Sequence, residues 1–145
     1  MAEKQIAIYI TDNRLKINHF WMELIKIFAV KGQTFEIHCW NKETVEIALA
    51  LQLGKQKSAD WDYGVIVEGV IDNNFTDMLC NIEKPLNDDM PNKMTPFFSI
   101  FFDNGFSSEH YGTEIHILSE PADRSKLHKL LEQMQDYAQI HEYTI

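Results

Sequence analysis

The chain predicts an α/β fold, a three-layer, doubly wound sandwich built on a five-stranded parallel sheet. Three observations carry that expectation. Residues 63–72 form the clearest unbroken apolar run, YGVIVEGVID, closed by Asp72-Asn73-Asn74. Such a β-branched run bounded by turn residues reads as a central strand buried on both faces. Strand-like and helix-like stretches also alternate along the chain, as right-handed βαβ crossovers require. Finally, 145 residues with 45% apolar content can bury one core without staples. Residues 1–145 are therefore read as a single domain, with 140–145 as a tail.

Each element has a local signal. Gln5–Ile10 is a strand that ends in Thr11-Asp12-Asn13, residues that turn chains and cap helices. From Arg14 to Val30, apolar side chains recur at three- and four-residue steps until Gly32 stops the helix. Thr34–Trp40 alternates as a strand, and Asn41 is placed to cap a helix over 42–53, closed by Gly54. Residues 55–60 read as a polar connection. After the central strand, 75–82 is a short helix, and 83–95 is a loop punctuated by Pro85 and Pro91. Phe97–Phe102 is the fourth strand and Thr113–Leu118 the fifth, with a link too short for a full crossover helix, so the fourth helix is short or missing. An amphipathic helix over 122–139 carries Leu127, Leu130, Leu131 and Met134 on one face. Residues 141–145 are read as disordered or as a little edge pairing.

Composition excludes several classes. Thirteen basic and 22 acidic residues give a formal charge of −9, which argues against nucleic acid or an anionic membrane as partner. Cys39 and Cys80 are too few for a disulfide framework, and no CxxC occurs. With no long apolar run and no leader pattern, the expectation is a soluble, cytoplasmic protein.

The order of elements allows the flavodoxin-like strand arrangement 2-1-3-4-5. The stretch from His116 to Leu131, with Glu120-Pro121 between a strand and a helix carrying paired leucines, resembles the end of a response-regulator receiver domain. Ile8 to Arg14 and Trp61 to Glu68 resemble that family's first and third strands. What the resemblance implies is a degenerate receiver of the pseudo-receiver type, a non-enzymatic protein-interaction module in two-component signalling. Asp12 keeps one acid of the family's pair, and Glu68 stands where the phosphorylated Asp belongs. Phe101 or Phe102 replaces the hydroxyl, and Glu120, before Pro121, replaces the Lys. A carboxylate in place of that ammonium repels a phosphoryl group.

In this alignment Asp12, Glu68 and Glu120 converge at the carboxyl ends of their strands, and Asp12 with Glu68 leaves room for a weakly held divalent cation. No other cofactor is expected. Two alternatives stay open: a working receiver that takes phosphate at Asp72, and a small-molecule-binding flavodoxin-like domain. His110 with His116, and His38 with Cys39, lack zinc-site spacing. Ser107-Ser108-Glu109-His110 offers a hydroxyl near an imidazole without a nucleophile elbow.

The partner expected is a protein, with a second copy of the chain as one candidate. The first helix is apolar beyond one stripe, and Phe97, Phe98, Phe101 and Phe102 call for cover on both faces. The last helix, from Arg124 to Tyr137, and the region around strands four and five are the expected contact surfaces.

Overall fold

A computed structural model describes residues 4–11, 17–82 and 93–144. Eight strands are seen there: β1 Lys4–Ile10, β2 Thr34–Trp40, β3 Lys55–Lys57, β4 Gly64–Val70, β5 Ser99–Phe102, β6 Ser107–Glu109, β7 Glu114–Ile117 and β8 Ala138–Thr144. Four helices join them: α1 Ile17–Phe28, α2 Thr44–Leu51, α3 Phe75–Cys80 and α4 Arg124–Met134. All the strands lie in one sheet of order β3-β4-β2-β5-β6-β7-β1-β8. Every neighbouring pair is antiparallel.

This topology overturns the five-stranded parallel sheet of order 2-1-3-4-5. With it fall the receiver resemblance, the pseudo-receiver function and both alternatives, the Asp72-phosphorylated receiver and the flavodoxin-like domain. The physical reason lies in the connections. A parallel neighbour needs a crossover of about a dozen residues or more, whereas a tight turn makes an antiparallel hairpin. Four residues join β5 to β6, and four join β6 to β7. Both links turn through left-handed backbone, at Gly105 (φ 88°) in the first and at His110, Tyr111 and Gly112 (φ 50°, 61° and 85°) in the second. The segment too short for a helix therefore holds a strand, β6.

Three further elements differ from expectation. Residues 55–57, read as connection, pair with β4. The run at 64–70 is second from the sheet edge, with Val67 fully buried but Val70 59% exposed, so it is not a two-face-buried centre. The last helix stops at Met134, and Ala138–Thr144 pairs along the whole of β1. Asn41 does not cap α2; its side-chain amide donates to the Asp62 carbonyl.

The core lies on one face of the sheet. Ile6 and Ile8, Phe35 and Ile37, Val67, Ile100 and Phe102, and Ile115 and Ile117 alternate onto that face in register and are buried. The helices supply Trp21, Leu24, Ile25 and Phe28 from α1, Ala50 from α2, Phe75 and Leu79 from α3, and four residues of α4. Helix α1 packs against both α3 and α4, with Phe20, Trp21, Leu24, Ile25 and Phe28 buried. No helix among the described residues is long and apolar enough to cross a membrane.

Candidate metal centre

Strand alternation sends every second side chain to the face opposite the helices. One row there runs across all eight strands: Lys55, Glu68, Glu36, Phe101, Ser107, His116, Ala7 and His141, each opposite the next. This second face mixes charged, polar and aromatic side chains where the first is apolar.

Two pairs of glutamates sit directly across from each other on it, Glu36 opposite Glu68 and Glu109 opposite Glu114. Like charges in that relation repel. At the first pair lysines offset the repulsion. Lys57 Nζ bonds Glu36 Oε2 at 3.0 Å, His38 Nε2 meets Oε1 at 3.1 Å, and Lys55 stands opposite Glu68. The His38 hydrogen bond, then that of Lys57, holds the Glu36 carboxyl below its ordinary range, and Glu36 in turn raises the Lys57 ammonium. At the second pair the salt-bridge partners among the described residues are imidazoles. His116 Nε2 lies 3.6 Å from Glu109 Oε2 and 3.7 Å from Glu114 Oε2, and His110 Nε2 lies 3.5 Å from Glu114 Oε2.

The β6–β7 hairpin builds this cluster. Ser107 and Glu109 alternate onto the second face from β6, and Glu114 and His116 from β7, with the left-handed turn at 110–112 closing the link. Ser107 Oγ donates to Glu109 Oε2 at 3.0 Å and orients it. The next residue, Ser108, points the other way and accepts the Trp21 indole N–H at 2.9 Å, tying the hairpin to α1. Tyr111 Oη donates to Glu43 Oε2 at 2.9 Å and anchors the turn.

Ligand atoms of Glu109, Glu114 and His116 all lie within 4.8 Å of one another. Around a tetrahedral cation with bonds near 2.0–2.1 Å, ligand atoms stand about 3.4 Å apart, close to the 3.6 and 3.7 Å observed. These three half-buried side chains can therefore hold a divalent cation, with the remaining positions open to water. The three side chains are 30%, 24% and 34% exposed. Tyr9, across from Glu114 on β1, lies edge-on to the His116 and His141 rings, at 6.3 and 5.9 Å. Burial, then Glu114, Tyr143 and Glu109, push its phenol up.

The residues singled out from sequence are scattered by this fold. Asp12 lies outside the described residues. Glu68 sits within β4 rather than at a strand end. Phe101 is on the second face and Phe102 in the core. Asp72 caps the turn into α3, accepting from the Asn74 and Phe75 N–H groups. Glu120 forms an ion pair with Arg124, meets the His128 imidazole at 3.4 Å and, with Pro121, borders a cavity of about 490 Å³ between α1 and the start of α4. An antiparallel sheet has no common carboxyl edge at which Glu68 and Glu120 would meet.

His110 and His116 lack the histidine and cysteine spacing of a zinc site. The usable signal was Glu109 and Glu114-x-His116 flanking a four-residue link that contains Gly112. Compared with known proteins, the chain matches no family model, no curated protein and no solved structure.

Proposed function

We propose that the protein binds a divalent cation of borderline hardness, in the range of Mn²⁺, Co²⁺ and Zn²⁺, through Glu109, Glu114 and His116. One imidazole with two carboxylates suits such ions better than an all-oxygen cage would. The observation that carries this is the cross-strand Glu109–Glu114 pair, which has only imidazoles within salt-bridge distance among the described residues, where the equivalent Glu36–Glu68 pair has lysines. A bound cation removes that repulsion.

The role is binding rather than turnover. The ligands face solvent, where the field a catalyst directs at a developing charge is screened. A reducing, cytoplasmic setting is supported by the two free thiols, Cys39 and Cys80.

Titration with Co²⁺, followed by its visible absorption and by calorimetry, tests the proposal. Micromolar binding is expected, weakened about ten- to hundredfold by His116→Ala or Glu114→Gln. A silent titration up to millimolar metal, or unchanged binding by the doubly substituted protein, would remove the site.

A further inference from the structure

We propose that a second site on the same sheet face, between β2 and β5, receives an arginine side chain from a basic partner protein. It is a half-open cavity of about 340 Å³. Phe101 and His38 line it, with ring centroids 4.8 Å apart; Asp103 supplies a carboxylate, and the Glu36 carboxylate beside it is already bonded to Lys57 and His38. A planar guanidinium stacks on an aromatic ring while its fork of N–H groups bonds a carboxylate, which an ammonium does less well. At Asp103 the donors are neutral: the Thr34 N–H at 3.1 Å and hydroxyl at 3.0 Å both reach Oδ2. A cation arriving there meets no lysine competing for that carboxylate among the contacts of the described residues.

Charge selects the partner. The chain carries −9 overall, with 22 acidic against 13 basic residues, and Glu68, Glu109 and Glu114 continue the negative surface on either side of the cavity. Long-range attraction therefore favours a basic protein and repels a second copy of this chain. The chain is also poor in the side chain required: only Arg14 and Arg124 are arginines, and Arg124 is engaged with Glu120. The site is separate from the Glu109–Glu114–His116 cluster and does not rest on the cation reading.

The test uses the whole chain in EDTA, so that a metal site plays no part. Hexa-arginine and hexa-lysine peptides of equal charge are titrated at about 0.15 M salt, with binding read by calorimetry. Hexa-arginine is expected to bind about tenfold more tightly than hexa-lysine. Phe101→Ala and Asp103→Asn should each erase that preference, with circular dichroism confirming the fold. Glu132→Gln, on exposed α4 surface, should leave it unchanged. Equal binding of the two peptides, the same loss in Glu132→Gln, or no binding of either would overturn the proposal. So would sedimentation showing a dimer that Phe101→Ala dissociates, since a second copy would then be the occupant.

Discussion

The two faces of the sheet differ more than any two elements of the molecule. On one, Phe35, Ile37 and Ile100 are at most 1% exposed and packed against four helices. On the other, their neighbours in sequence, Glu36, His38 and Phe101, are half-buried, with Glu36 paired to Lys57 and the His38 and Phe101 rings in contact. The same strands thus carry the core on one side and a polar, partly solvated surface on the other, because a strand sends neighbouring side chains in opposite directions. A face under helices can use apolar contact. A face without them retains charge, including a glutamate pair that folding alone would not favour.

Substitutions that treat the faces unequally sharpen this contrast. The largest effect is expected from Phe35→Ala, whose ring lies 4.5 Å from that of Phe75. It should cost about 3–5 kcal/mol in urea unfolding, against about 1 kcal/mol for Phe101→Ala. Similar losses at the two phenylalanines would erase the distinction.

Gly64→Ala comes next. An added Cβ would run into the Trp61 ring and the Cys39 carbonyl oxygen, so Trp61 must leave its place on the sheet and the β2–β4 pairing must shift locally. The expected loss is about 1–3 kcal/mol with a red-shifted tryptophan emission. Unaltered emission would mean that Trp61 is not seated there.

Trp21→Phe tests the strut between the layers. Removing the indole N–H leaves the fully buried Ser108 hydroxyl without its donor, worth about 1–3 kcal/mol. Co²⁺ affinity should fall as well, because Glu109 follows Ser108 on β6. Loss of stability with no change in Co²⁺ affinity would uncouple the strut from the cluster.

The thiols give a pH-dependent contrast. Burial, then Glu43 and Glu46, push Cys39 up to about 12, and burial also raises Cys80. Because the Cys39 thiol ionises more readily in the unfolded chain, the stability it contributes is complete below about pH 9 and lost as pH rises from there toward about 12. Cys39→Ala should flatten that part of the alkaline profile. At pH 8, iodoacetamide should label the half-buried Cys80 before the fully buried Cys39. Equal labelling rates would contradict the packing on Cys39.

The smallest stability change is expected from Glu114→Gln. Without metal it should leave stability unchanged or raise it by about 0.5 kcal/mol, since a like-charge pair is relieved. A clear destabilisation in metal-free buffer would show that the pair is structural rather than held for a ligand.

Much of the secondary structure was legible in the sequence. Alternation in Thr34–Trp40 gave the bounds of β2, and the leucines of α4 faced the core as their spacing required. The three-residue strands β3 and β6 were not legible, because Lys55–Lys57 and Ser107–Glu109 are polar and too short for periodicity to register. The Glu109–Glu114–His116 cluster was invisible for a related reason. Its residues are joined by strand pairing rather than by a spacing along the chain.

What the sequence alone determined was which side chains seek burial and where the chain turns. Those are local properties of solubility and backbone freedom. Only the tertiary structure decided which strand lies beside which, and in which direction. Pairing is set by closure of short links and by registry across strands far apart in sequence, such as β1 beside β7 and β8. The antiparallel register that follows is what brings Glu109, Glu114 and His116 together.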